Sequence, residues 1–233
     1  MEKKVAATTL VGSAVLTACL MLLPLGRAIL VPVHLLGTHV HEAGHALAAL
    51  LTGGSVGAIV VRADGSGVTP VAGGWPIVVA SAGYVGTMVT GAALVAAGAK
   101  AKLAGRALLL FGALLGTVSL LYLRGDLVGL ATGWGWSLAL VVAGLRLRGE
   151  AVLFASQFLG IVLSLASLAA LRDLFFAGLG PGVHSDATNM ARLTGIPAVF
   201  WAYAWALGGI VLVFAILRTR WRSASRSRQK TYT

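Results

Sequence analysis

Cys19 is the only cysteine in the chain, so an internal disulfide is impossible and a zinc site built from several cysteines is excluded. Charge is nearly as scarce. Only 11% of the 233 residues are Asp, Glu, Lys or Arg, where soluble domains carry about a quarter. The acidic residues are Glu2, Glu42, Asp64, Asp126, Glu150, Asp173 and Asp186, and nothing more. Apolar residues take their place, at 58% of the chain with a mean hydropathy of +0.91. They fall in runs that reach the roughly 20 residues needed to cross a bilayer. This composition excludes a soluble globular protein and predicts an all-α polytopic membrane protein. The spans use nearly all the length, which leaves no room for a separate soluble module such as a peptide-binding domain.

The formal net charge is +11. Much of the excess lies in Arg218, Arg220, Arg222, Arg226, Arg228 and Lys230. A basic run directly after an apolar span marks a cytoplasmic flank, held by the positive-inside bias and attracted to anionic lipid. No nucleic-acid partner is expected. Residues 1–217 are read as one intramembrane domain and 218–233 as a basic cytoplasmic tail. The other terminus, Met1-Glu2-Lys3-Lys4, is also basic. It resembles a signal sequence, but the apolar run after it is long and lacks a cleavage site, so it is read as the first span.

Candidate spans cover residues 5–25, 28–51, 75–97, 107–123, 127–145, 151–171 and 196–217, giving six or seven crossings. Seven would put the two basic termini on opposite faces, a conflict that one re-entrant segment would remove. Between the second and third spans, β-branched residues surround Asp64-Gly65, which predicts a short hairpin within 55–70. Such backbone is tolerated at membrane depth only when buried in protein or lining a wet cavity. Gly83, Thr87 and Gly91 recur every four residues, a stripe that lets another helix approach closely.

The second span carries His41-Glu42-Ala43-Gly44-His45. Two imidazoles four residues apart project from one helix face at the spacing that grips one Zn²⁺, and the intervening glutamate can serve as general base on a water molecule. Ionisable side chains inside a membrane are costly and mark a functional site by default. His34, Thr38, His41 and His45 share one helical stripe, Glu42 flanks it, and His39 points away. His34 reads as a pore-lining or hydrogen-bonded histidine rather than a ligand, and His39 as interfacial or supporting. Catalytic zinc takes three protein ligands and keeps an open position, so a third must come from elsewhere. Asp64 suits the hairpin turn, while Asp126 and Glu150 sit near arginines at span ends. Asp173 follows Arg172. Asp186 lies in a polar island before the last span, with Asn189 on the same face if the segment is helical.

These features resemble the site-2 protease superfamily of intramembrane zinc metalloproteases, in its short bacterial branch without a PDZ domain. The matching segments are HEAGHALAALLTGG (41–54), DGSGVT (64–69), SAGYVG (81–86) and SDATNMARLTGIP (185–197), spread over most of the chain in the expected order. The resemblance implies a bacterial cell-membrane enzyme that holds one zinc per chain through His41, His45 and Asp186, with Glu42 activating water. The chain lacks the leucine-aspartate-glycine motif of better-known members, which keeps Asp173 as the alternative third ligand. Asn189, His184 or His34 is a candidate oxyanion donor, with Asn189 preferred. The substrate is expected to be a membrane protein whose helix unwinds, captured by an edge strand of the hairpin. Two other readings compete. One is a metal or proton transporter using the His34/His41/His45 stripe, and the other is an inactive membrane scaffold.

Overall fold

A computed structural model describes residues 2–166, 168 and 185–229. Two long helices come first, α1 (Glu2–Leu22) and α2 (Pro24–Leu51), followed by four short strands: β1 (Ser55–Val56), β2 (Ile59–Val61), β3 (Gly67–Val68) and β4 (Val71–Ala72). Helices α3 (Pro76–Ala97) and α4 (Ala101–Tyr122) lead to strand β5 (Leu123–Gly125) and then to α5 (Leu127–Arg146) and α6 (Gly149–Leu165). A short helix α7 (Asp186–Thr194) and a long α8 (Ala198–Gln229) complete the described chain.

Local chemistry sets these boundaries. Pro24 and Pro76 sit in the first turns of α2 and α3, where the missing N–H costs nothing. Asp126 caps α5 by accepting the Gly129 N–H at 2.7 Å. Ser185 and Thr188 form a capping box at the start of α7, which ends on Gly195 at φ 74°.

Among the described residues, five helices are long and apolar enough to cross a bilayer, within α1, α3, α4, α5 and α8, and α6 is a shorter apolar helix. Their outward faces leave Leu110, Leu120, Leu138 and Phe214 each more than 60% exposed, a surface suited to lipid. The expected hairpin forms between β2 and β3, with Val60 opposite Val68, and the β1–β4 pair extends it. Asp64 serves the turn as expected. It accepts the Ser66 N–H, and the Ser66 hydroxyl and amide together hold its carboxyl below the usual range.

The structure extends the expected layout. β5 was not anticipated, yet it pairs in parallel with β2, so β2 is the middle strand. α4 begins at Ala101 and takes Lys102 and Arg106 into its first turns rather than leaving them as a linker. α5 runs unbroken through the glycines around Trp134 and Trp136, and α8 continues through the tail to Gln229.

Helix directions follow from contacts. Gln157 of α6 donates to the Ala6 carbonyl of α1 and to the Gly98 carbonyl after α3, at 2.9 and 2.7 Å. One turn on, Ile161 packs with Leu10 of α1 and Val95 of α3. Hence α1 runs parallel to α6, and α3 runs opposite to both. Ile216 and Leu217 of α8 join the same cluster, and Gly105 of α4 abuts Gly144 of α5 and Val152 of α6. One end of the bundle therefore gathers the starts of α1, α4 and α6 with the ends of α3, α5 and the apolar part of α8. The opposite end holds the strands, α7 and the end of α2. α2, expected as the span 28–51, is not among the described helices apolar enough to cross, because four histidines, Glu42 and Arg27 lower its hydropathy.

Candidate metal centre and active site

The HExxH segment lies in the second half of α2, which packs antiparallel on the first half of α3. Glycines allow the approach. A Cβ on Gly44 would strike the Ala82 carbonyl and lie 3.3 Å from the Gly83 Cα, and one on Gly86 would lie 3.6 Å from the Gly44 Cα. The stripe read in α3 thus serves two partners: Gly83 and Gly86 face α2, while Gly91 meets Gly160 and Ser164 of α6.

Three donor atoms converge at this contact. The Nε2 atoms of His41 and His45 are 3.0 Å apart, and Oδ2 of Asp186 lies 2.9 Å from the first and 3.2 Å from the second. Asp186 reaches them as the first residue of α7, where the helix N-terminus favours a carboxylate. Nδ1 of His45 lies 2.7 Å from the Val79 carbonyl. A carbonyl only accepts, so Nδ1 carries a proton and Nε2 is the atom turned toward the cluster. Nε2 and the Asp186 carboxylate meet at close range, a pairing that a proton or a metal ion can bridge. The spacing fits zinc, because a tetrahedral ion with bonds of about 2.0–2.1 Å holds its donors about 3.3 Å apart. His41, His45 and Asp186 form a group able to hold a metal ion among the described residues.

The surroundings fix these rings. His41 stands edge-on to Tyr84, with centroids 4.5 Å apart, and Tyr84 stacks on Trp205 of α8 at 4.9 Å. Gly83 lies directly behind the imidazoles. A Cβ there would come within 2.6 Å of His45 Nε2 and closer still to His41. The backbone of α3 thus fills the space behind the two imidazoles and admits no side chain.

Glu42 is buried beside the trio, and Oε2 accepts the Thr69 hydroxyl at 2.6 Å. Gly67 of β3 lies over the same carboxylate, because a Cβ at that position would overlap Oε1. The hairpin therefore covers the candidate base, and Thr38 ties its turn to α2 by lying 3.0 Å from the Gly65 carbonyl. The segments 64–69 and 81–86 contribute through Thr69, Gly67, Gly83 and Tyr84. None of these four had a role assigned from sequence at the site, although Gly83 was read as a packing position.

The remaining candidates separate clearly. His39 turns away to α5, with Nε2 3.0 Å from the Thr132 hydroxyl, and is interfacial as expected. His34 is exposed on α2 and lies outside the trio. Asn189 is one helical turn from Asp186 and lines a groove of about 330 Å³ with Val71, Val79, Ala80 and Arg192. Asp126 is engaged as a helix cap. Asp173 and His184 lie outside the described residues.

A family model described as Peptidase M50B-like matches residues 12–216. No curated protein and no solved structure shows significant similarity to the chain. The matched stretch takes in the HExxH helix, the hairpin, α3, α7 and the apolar part of α8. With that match over most of its length and five described helices apolar enough to cross a bilayer, the chain belongs to the Peptidase M50B-like family and is a multi-pass membrane metalloprotease of the site-2 protease type.

Proposed function

We propose that this protein is a zinc endopeptidase that hydrolyses peptide bonds of membrane-embedded substrates, with one zinc held by His41, His45 and Asp186. The observation that carries the reading is the convergence of those three donor atoms beside a buried glutamate. A bound zinc would supply Lewis acidity, polarising the scissile carbonyl and easing deprotonation of the attacking water. The remaining steps belong to the chain. Glu42 takes the proton from that water and delivers it to the leaving nitrogen, so the carboxylate is regenerated as the bond breaks. The Thr69 hydroxyl orients Glu42, the Val79 carbonyl fixes the His45 tautomer, and Tyr84 steadies the His41 ring. Asn189, in the groove beside Asp186, donates to the developing oxyanion.

A helical substrate must unwind to expose its peptide bonds. We assign its docking to the free side of β3, because β2 is paired on both sides and Gly67 of β3 lies against Glu42. The enzyme resides in a bacterial cell membrane, with its basic ends toward the cytoplasm and anionic lipid. The test is cleavage of a membrane-embedded reporter in proteoliposomes. Wild type cleaves it, a zinc chelator stops cleavage, and Glu42→Gln is inactive while keeping its metal. Undiminished cleavage by Glu42→Gln would overturn the mechanism.

A further inference from the structure

The bundle end remote from the metal centre carries a second candidate site. Between α4, α5 and α6 lies a groove of about 370 Å³ lined by Ala101, Gly105, Leu109, Gly144, Leu147 and Val152, with Lys102, Arg106 and Arg148 around it. Its floor exists because Gly105 and Gly144 meet without side chains; a Cβ on Gly105 would lie 3.1 Å from the Gly144 carbonyl. The three cations are exposed, while Leu109 and Leu147 are half-buried and Val152 is buried. No carboxylate lines it among the described residues. Its place is also specific, since it opens where three apolar helices start or end.

We propose that this groove binds the phosphate-bearing headgroup of an anionic phospholipid, with the acyl chains running down the apolar cleft. Charge complementarity supports the choice. Three cations line one groove whose described lining holds no carboxylate, and their apolar setting suits an amphiphile rather than a free anion. Long basic side chains at helix ends reach the headgroup level while their stems cover apolar surface. Arg148 is preorganised for this role, with Nη1 donating to the Leu147 carbonyl at 2.8 Å and further N–H groups left to reach a phosphate.

Native mass spectrometry of the full chain, released from detergent after incubation with dioleoylphosphatidylglycerol, tests the assignment. Wild type should retain one phosphatidylglycerol strongly and dioleoylphosphatidylcholine weakly. The triple variant Lys102→Gln/Arg106→Gln/Arg148→Gln should retain phosphatidylglycerol about a hundredfold less well, taking about fivefold for each cation that contacts the headgroup in the groove. A control with Lys100→Gln/Arg146→Gln removes two cations at the same end but outside the groove, and it should behave as wild type. Equal loss in that control would reduce the effect to general surface charge and overturn the proposal. Equal retention of phosphatidylcholine, or displacement of the lipid by millimolar inorganic phosphate, would overturn it as well. Single Arg148→Gln, checked for an unchanged elution volume, should show an intermediate loss if the triple variant misfolds.

Discussion

Gly83→Ala probes the proposed metal centre without altering His41, His45 or Asp186. The added Cβ would sit 2.5 Å from His41 Cε1 and 2.6 Å from His45 Nε2. Both contacts fall about 0.8–0.9 Å short of ordinary van der Waals separation, and the obstructing atom hangs on a helix backbone that cannot swing aside. The rings must retreat by most of that shortfall, whereas a metal site tolerates only about 0.2 Å in its ligand distances. Overpacking of this kind costs roughly 1–3 kcal/mol of stability, so the fold should survive. Losing the support of one ligand costs about 10–100-fold in metal affinity. Displacing two at once should therefore weaken zinc binding at least about a hundredfold. Gly86→Ala is the matched control, because its Cβ would meet only the Gly44 Cα at 3.6 Å, an ordinary contact. Competition with a chromogenic chelator on purified protein reads both affinities. Unchanged zinc affinity in Gly83→Ala, or equal loss in Gly86→Ala, would refute the reasoning.

Other expectations follow from the same geometry. Glu42→Gln should lower the cleavage rate about 10²–10⁴-fold at unchanged zinc content, and an active variant would remove Glu42 as base. Thr69→Val leaves Glu42 without its 2.6 Å partner and should cost about tenfold in rate, again with zinc retained; full activity would mean that Thr69 serves the fold alone. Gln157→Leu removes the clamp among α1, α3 and α6 and should destabilise by about 1–3 kcal/mol, seen as a lower midpoint in thermal unfolding without loss of zinc. Val60→Pro strikes the central strand and should impair cleavage while zinc stays bound, so intact cleavage would argue against strand-based capture of substrate.

The histidine half of the candidate site is legible in the sequence because a four-residue spacing on a helix fixes which side chains share a face, whatever packs around them. The same angular argument set His39 apart, and it does pack against Thr132 instead. Asp186 was reachable only as a carboxylate in a polar island, since no periodicity links residue 186 to residue 41. The role of Gly83 could not be read, because a small-residue stripe looks alike whether the partner is a helix or a pair of imidazoles. β5 is three residues, Leu123-Arg124-Gly125, between two apolar helices. It becomes a strand only because β2 offers it a partner. The leucines and valines of residues 28–51 read as a span, yet the polar residues that mark the site keep α2 outside the set of helices apolar enough to cross. Hydropathy alone places the start of α4 too late, since Lys102 and Arg106 lower the average while their stems remain compatible with a membrane helix.

Zinc content of the purified full chain tests the central claim most directly. The account predicts about one zinc per wild-type chain, as an open catalytic site requires, lost in His45→Ala and Asp186→Ala but kept in Asp173→Ala. A folded wild type that takes up no zinc after reconstitution, or an Asp186→Ala variant that keeps its full complement, would contradict it.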